Sequence, residues 1–128
     1  MRLLLDTHVA LWALLDDPRL PERARALIAD EDNSLHVSAA SVWEISIKHA
    51  LQRGDMPLSG EAALRWFRRA GYALLDITPE HAAAVEKLPP HHADPFDRML
   101  VAQALTEPLR LLTRDAAVAR YSNAIELI

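Results

Sequence analysis

The stretch RLLLDTHVALWALL, residues 2–15, contains a whole strand–helix unit. Arg2-Leu3-Leu4-Leu5 is an apolar run too short for a helix, and it stops at Asp6. A continuous apolar run of this length reads as a strand buried on both faces, as in a parallel sheet. From Thr7 onward, Val9, Trp12 and Ala13 recur at helical spacing, and Asp16-Asp17-Pro18 ends the helix.

The pattern repeats along the chain. Pro21 opens a second helix with Ala24, Leu27 and Ile28 on one face, and residues 30–34 end it. Leu35-His36-Val37 is a second short strand. Residues 38–52 form the clearest helix, with Ser38 or Ser41 as its cap, Val42, Ile45, His49 and Leu51 near one side, and Gly54 closing it. Residues 61–70 form an arginine-rich amphipathic helix ended by Gly71. Residues 72–77 are a strand candidate. Thr78-Pro79-Glu80 starts another helix, with Thr78 as cap. Pro89-Pro90 breaks the chain, and Asp94-Pro95 opens a buried helix through Met99, Leu100, Ala102 and Ala104. Residues 109–113 read as a strand, 115–121 as a short helix and 124–128 as an edge strand. Strands alternating with helices predict an α/β fold with a mainly parallel sheet covered on both faces. No composition shift divides residues 1–128, so a single domain is expected.

Of the 128 residues, 51% are apolar, enough for a core. The absence of cysteine removes disulfides, thiolate nucleophiles and cysteine metal sites, and it fits a reducing compartment. Asp6 and His8 interrupt the N-terminal apolar run, and no stretch suits a bilayer span, so the expectation is a soluble cytoplasmic protein without membrane contact. The formal net charge of −4 does not advertise nucleic acid. No glycine-rich phosphate loop and no Gly-x-Ser-x-Gly occurs. The histidines lack a His-x-x-x-His pair and are assigned to packing and surface, as are the tryptophans to core or partner contacts.

The acids are more telling. Asp6 closes the first strand, Asp115 follows the strand 109–112, and Glu44 lies in the helix after the second strand. Asp94 and Asp97 open the helix before the fourth. Ligands of open parallel sheets bind beyond the carboxyl ends of the strands, where these acids gather. Each has a bland alternative: Asp6 as a turn residue, Glu44 as a solvated helix residue, Asp115 as a cap. Carboxylates that converge without a cation repel one another, whereas a hard divalent ion such as Mg2+ or Mn2+ relieves that cost and activates water for phosphodiester hydrolysis.

Four segments, LLLDTHVALWALL, SAASVWEISIKHALQRG, DPFDRMLVAQAL and LLTRDAAVARY, resemble PIN-domain ribonucleases, in particular the VapC-type toxins of bacterial toxin–antitoxin pairs. The resemblance spans nearly the whole chain. It implies a three-layer α/β/α sandwich and a Mg2+- or Mn2+-dependent endoribonuclease acting on RNA. Its partners would be a cognate antitoxin and a second copy in a homodimer. The acids matching the family pattern are Asp6, Glu44, Asp97 and Asp115, as catalytic and metal-binding residues; Asp94 is an additional acid able to reach the metal. Thr7 and Thr113 sit beside ligand positions and are candidates to hydrogen-bond the carboxylates. Arg98 and Arg114 flank the same positions as candidates for the scissile phosphate. Lys48, four residues beyond Glu44, is spaced to pair with it. His8 departs from the small polar residue common at its position.

Two readings from other classes compete. A non-catalytic RNA- or partner-binding domain of the same fold would have no need of all four acids. A phosphoacceptor domain would want adjacent early acids and a late lysine; here Asp6 stands alone and no lysine follows Lys87.

Overall fold

Leu3 and Leu5 face one side of a sheet and Leu4 the other, and all three are completely buried. The alternation follows from the two-residue period of a strand with helices packed on both faces. The structure, a computed structural model, describes residues 1–52 and 56–128; the expectation that Gly54 closes its helix lies outside them.

The strands are β1 (Arg2–Leu5), β2 (Ser34–Ser38), β3 (Ala73–Leu75), β4 (Arg110–Thr113) and β5 (Ile125–Leu127). They form one sheet in the order β3-β2-β1-β4-β5, and every pairing is parallel. The helices are α1 (Thr7–Leu14), α2 (Glu22–Ala29), α3 (Ala39–Ala50), α4 (Gly60–Arg69), α5 (Pro79–Ala84), α6 (Pro95–Thr106) and α7 (Ala116–Ala119), with a 3₁₀ turn at Val85–Lys87. On one face, Leu3, Leu5, Val37 and Leu112 pack against Val9, Ala24, Ile45 and Phe67 of α1 to α4. On the other, Leu4, Leu111 and Ile125 meet Leu100, Val101 and Ala104 of α6 and Val118 of α7. The result is the three-layer α/β/α sandwich expected.

Local chemistry sets the helix ends. Ser38 Oγ accepts from the Ala40 N–H, and Ser59 Oγ from Ala62. Thr78 and His81 form a reciprocal capping box. Gly71 ends α4 at φ +84°, a conformation that favours glycine. At Gly60, the start of α4, a Cβ would stand 1.7 Å from Ser46 Oγ, so glycine is what lets α4 lie against α3. Among the described residues no helix is long and apolar enough to cross a membrane.

Candidate active site

The chain order reverses at β1, which has β2 on one side and β4 on the other. Beyond the carboxyl ends of β1 and β4 opens the crevice that such a reversal creates. It is a cleft of about 630 Å³ whose walls include Asp6, Thr7, Glu44, Lys48, Asp94, Asp97 and Asp115. All the predicted acids therefore share one cavity.

Three of them cap helices that start at the cleft. Asp6 Oδ1 accepts from Val9 N–H at 2.9 Å, at the start of α1. Asp94 Oδ1 accepts from Phe96 at 2.8 Å and from Asp97 at 3.1 Å, at the start of α6. Asp115 Oδ1 accepts from Ala117 at 2.8 Å, at the start of α7. A carboxylate has two oxygens, so capping with one leaves the other for the cleft: Asp115 Oδ2 is 3.1 Å from His92 Nε2. The cap reading and the site reading of Asp115 are compatible.

Glu44 reverses what its neighbours suggest. Trp43 is 58% exposed, its ring edge on Phe96, whereas Glu44 is only 4% exposed. The alternative of a solvated Glu44 is thereby overturned. Burial of a carboxylate demands partners. Thr7 Oγ1 donates to Glu44 Oε1 at 2.7 Å and stands 2.9 Å from Ser41 Oγ. Lys48 Nζ reaches Glu44 Oε2 at 2.5 Å, as the four-residue spacing predicts. Partial burial pulls the Lys48 pKa down, but the hydrogen bond and charge of Glu44, then the charges of Asp94 and Asp97, outweigh it and hold it above the ordinary value.

Asp97 caps nothing, and its Oδ2 accepts from His92 Nε2 at 2.9 Å. Burial, then the negative charges of Asp94, Asp6 and Glu44, push its carboxyl up to about 7, against a smaller opposing effect of His92. Burial likewise raises Asp6, in spite of hydrogen bonds from the Thr113 side chain and the backbone N–H of Val9. Thr113 Oγ1 also accepts from Asp115 N–H at 3.0 Å, so each of the two threonines hydrogen-bonds an acidic residue of the cleft, Thr7 the Glu44 carboxylate and Thr113 the Asp115 backbone.

Two side chains depart from expectation. Arg98 does not line the cleft. Its guanidinium is turned into the chain, donating to the carbonyls of Val85, Leu88 and Pro89 and to Tyr121 Oη at 3.0–3.3 Å. The reason is geometric: the segment 85–92 that precedes α6 turns the Val85, Leu88 and Pro89 carbonyls toward the guanidinium. Arg114 does lie on the cleft wall. His92, assigned from sequence to packing or surface, instead stands between Asp97 and Asp115. Its only sequence signal is its place two residues before the Asp94-Pro95 cap, which is too weak to separate it from His91, whose ring packs on Tyr121.

The PIN domain family matches residues 3–124 of this chain. The chain is similar to Ribonuclease VapC22 of Mycobacterium tuberculosis, with 32% identity over 123 residues, 94% of this chain and 92% of that protein. Among solved structures it is similar in fold to VapBC2 from Rickettsia felis bound to a DNA fragment from their promoter. That match has a TM-score of 0.68 and 13% identity, and it covers 100% of this chain and 98% of the other. A toxin–antitoxin complex from Klebsiella pneumoniae matches with a TM-score of 0.62 and 19% identity over 95% and 93% of the two chains.

Proposed function

The chain belongs to the PIN domain family, and on that premise we propose that it is a Mg2+- or Mn2+-dependent endoribonuclease serving as the toxin of a toxin–antitoxin pair. The observation that carries the reading is the gathering of Asp6, Glu44, Asp97 and Asp115 in one cleft at the sheet's reversal point. The donor set fits a hard divalent ion: it is rich in carboxylate oxygen, and burial with the charges of Asp94, Asp6 and Glu44 raises the Asp97 carboxyl to about 7, a cost that a cation would relieve. Asp6, Asp97 and Asp115, with Glu44, would hold the ion, and Asp94 stands on the same cleft. When bound, such an ion lowers the pKa of a water and offsets charge on the phosphodiester.

The chain's own groups do the rest. Thr7 and Lys48 hold one oxygen each of the buried Glu44 carboxylate and fix its direction. Thr113 links Asp6 to Asp115. Arg114, on the cleft wall, is the side chain we assign to the scissile phosphate.

For the antitoxin we propose a second concavity of about 300 Å³, lined by Leu14, Leu15, Leu58 and Trp66. Leu15 is 45% exposed and Trp66 44%, an apolar surface suited to a partner's apolar side chains. The homodimer has a candidate surface at Trp43. A cytoplasmic location accords with the absence of cysteine.

The test is cleavage of a broad RNA panel. EDTA should abolish cleavage, Mn2+ or Mg2+ should restore it, and Ca2+ should support little turnover, because its looser coordination places the water poorly. Cleavage that persists unchanged in EDTA would refute the metal mechanism. A metal-loaded protein that binds RNA without cutting it would point to the non-catalytic alternative.

A further inference from the structure

His92 lies in the cleft, yet a cluster of carboxylates needs no histidine to hold a hard ion. Its Nε2 is 2.9 Å from Asp97 Oδ2 and 3.1 Å from Asp115 Oδ2, so it joins the first turn of α6 to the cap of α7. The other ring nitrogen settles which one carries the proton. The Ala93 N–H donates to His92 Nδ1 at 3.1 Å, so Nδ1 is an acceptor and the ring proton sits on Nε2. The group offered to the carboxylates is therefore an N–H donor.

The backbone of His92 is clamped as well. Its N–H donates to Tyr121 Oη at 2.9 Å, and the Tyr121 hydroxyl in turn faces the His92 carbonyl at 3.4 Å. Arg98 Nη1 donates to the same Tyr121 oxygen at 3.0 Å while its other N–H groups hold the loop carbonyls. Arg98, on α6, and Tyr121, just past α7, thus fix the loop that presents the imidazole.

We propose that His92 is a positioning residue: its Nε2–H, delivered by a loop that Arg98 and Tyr121 clamp, aims the Asp97 and Asp115 carboxylates at the seat of the divalent ion. The inference rests on the metal-dependent reading of the cleft. Direct ligation by Nε2 would move the ring proton to Nδ1, against the Ala93 N–H, setting two donors face to face. A purely structural role would put the ring in the core, but a quarter of the side chain is exposed, in the cleft. Carboxylates rotate about their χ angles unless a donor holds them, and donors of this kind are worth roughly 10–100-fold in metal affinity.

The experiment measures Mn2+ affinity by titration calorimetry on the whole chain, with pulsed EPR of the Mn2+-loaded protein and a thermal melt of each variant. His92→Ala should bind Mn2+ about tenfold more weakly at an unchanged fold. His92→Gln, which keeps an N–H donor, should recover most of that loss. Tyr121→Phe, which loosens the clamp outside the cleft, should fall between wild type and His92→Ala. Unchanged or tighter binding by His92→Ala overturns the proposal, as does a nitrogen coupling in the wild-type EPR spectrum that His92→Ala loses, since that marks a direct ligand. Wild-type protein that binds no Mn2+ at all refutes the metal reading and the positioning role together; wild-type binding matched by His92→Ala refutes the positioning role alone.

Discussion

Thr7 Oγ1 donates a 2.7 Å hydrogen bond to Glu44 Oε1, tying the first residue of α1 to the buried acid of α3. Thr7→Val keeps the shape and removes the hydroxyl, leaving a buried carboxylate oxygen without its donor. We expect a stability loss of about 1–3 kcal/mol, and near-wild-type stability for Thr7→Ser. Urea unfolding of both variants checks this; equal stability of Thr7→Val and wild type would mean that water replaces the hydroxyl.

Asp97 predicts a pH dependence of the metal-free protein. Its folded pKa of about 7 lies above the ordinary 3.8. Between these values the native state holds a proton that the unfolded state lacks, so stability falls as pH rises from about 4 to about 7. Asp6, raised by burial, acts in the same direction. Asp97→Asn removes one of these titrations while keeping an oxygen acceptor for His92. With EDTA at pH 8 it should therefore be more stable than wild type, on the order of 1–2 kcal/mol because solvent reaches about a quarter of the side chain. Added Mn2+ should stabilise wild type more than the variant. Thermal melts at pH 5 and pH 8 read both effects, and a variant that melts lower than wild type at pH 8 contradicts them.

Asp94 and Asp97 should separate. Asp94 accepts two backbone N–H bonds and Asp97 accepts none from its own helix turn. Asp94→Ala should lose about 0.5–2 kcal/mol, the usual worth of a cap, whereas Asp94→Asn keeps the cap and much of the cleavage. Asp97→Asn should lose nearly all cleavage with its fold intact. If Asp94→Asn is as inactive as Asp97→Asn and equally stable, Asp94 is a direct ligand and the division of roles is wrong.

Arg98 and Arg114 should fail differently. Arg98→Ala strips donors from loop carbonyls and from Tyr121, so it should unfold more easily by about 1–3 kcal/mol. Arg114→Ala should leave stability unchanged, weaken RNA binding and reduce the slope of log affinity against log salt by about one. Binding curves at several salt concentrations, alongside urea unfolding, distinguish the two. A salt slope altered by Arg98→Ala and not by Arg114→Ala would exchange their assignments.

Several features are legible in the amino-acid sequence because they depend on residues a few positions apart. Leu3-Leu4-Leu5 followed by Asp6 reads as a strand and helix in one stretch. Asp94-Pro95 and Thr78-Pro79 read as helix starts, and Glu44 and Lys48 as an i, i+4 pair. Strand–helix alternation then specifies the layers, and the resemblance of four segments to PIN-domain ribonucleases singles out Asp6, Glu44, Asp97 and Asp115 among the acids at the strand ends. What stays illegible depends on contacts across long separations. Trp43 and Glu44 would be placed the opposite way round by hydropathy; the packing of α3 beside α1 puts Glu44 inside, where Thr7, remote in sequence, supplies the donor. Arg98 reads as a cleft cation until the fold brings the 85–92 carbonyls and Tyr121 around it. His91 and His92 are alike in sequence, and only the path of that loop sends one ring to Tyr121 and the other between two carboxylates. Periodicity and caps record a residue's relation to its own turn of chain, whereas burial and partner choice follow from where the sheet brings distant turns together.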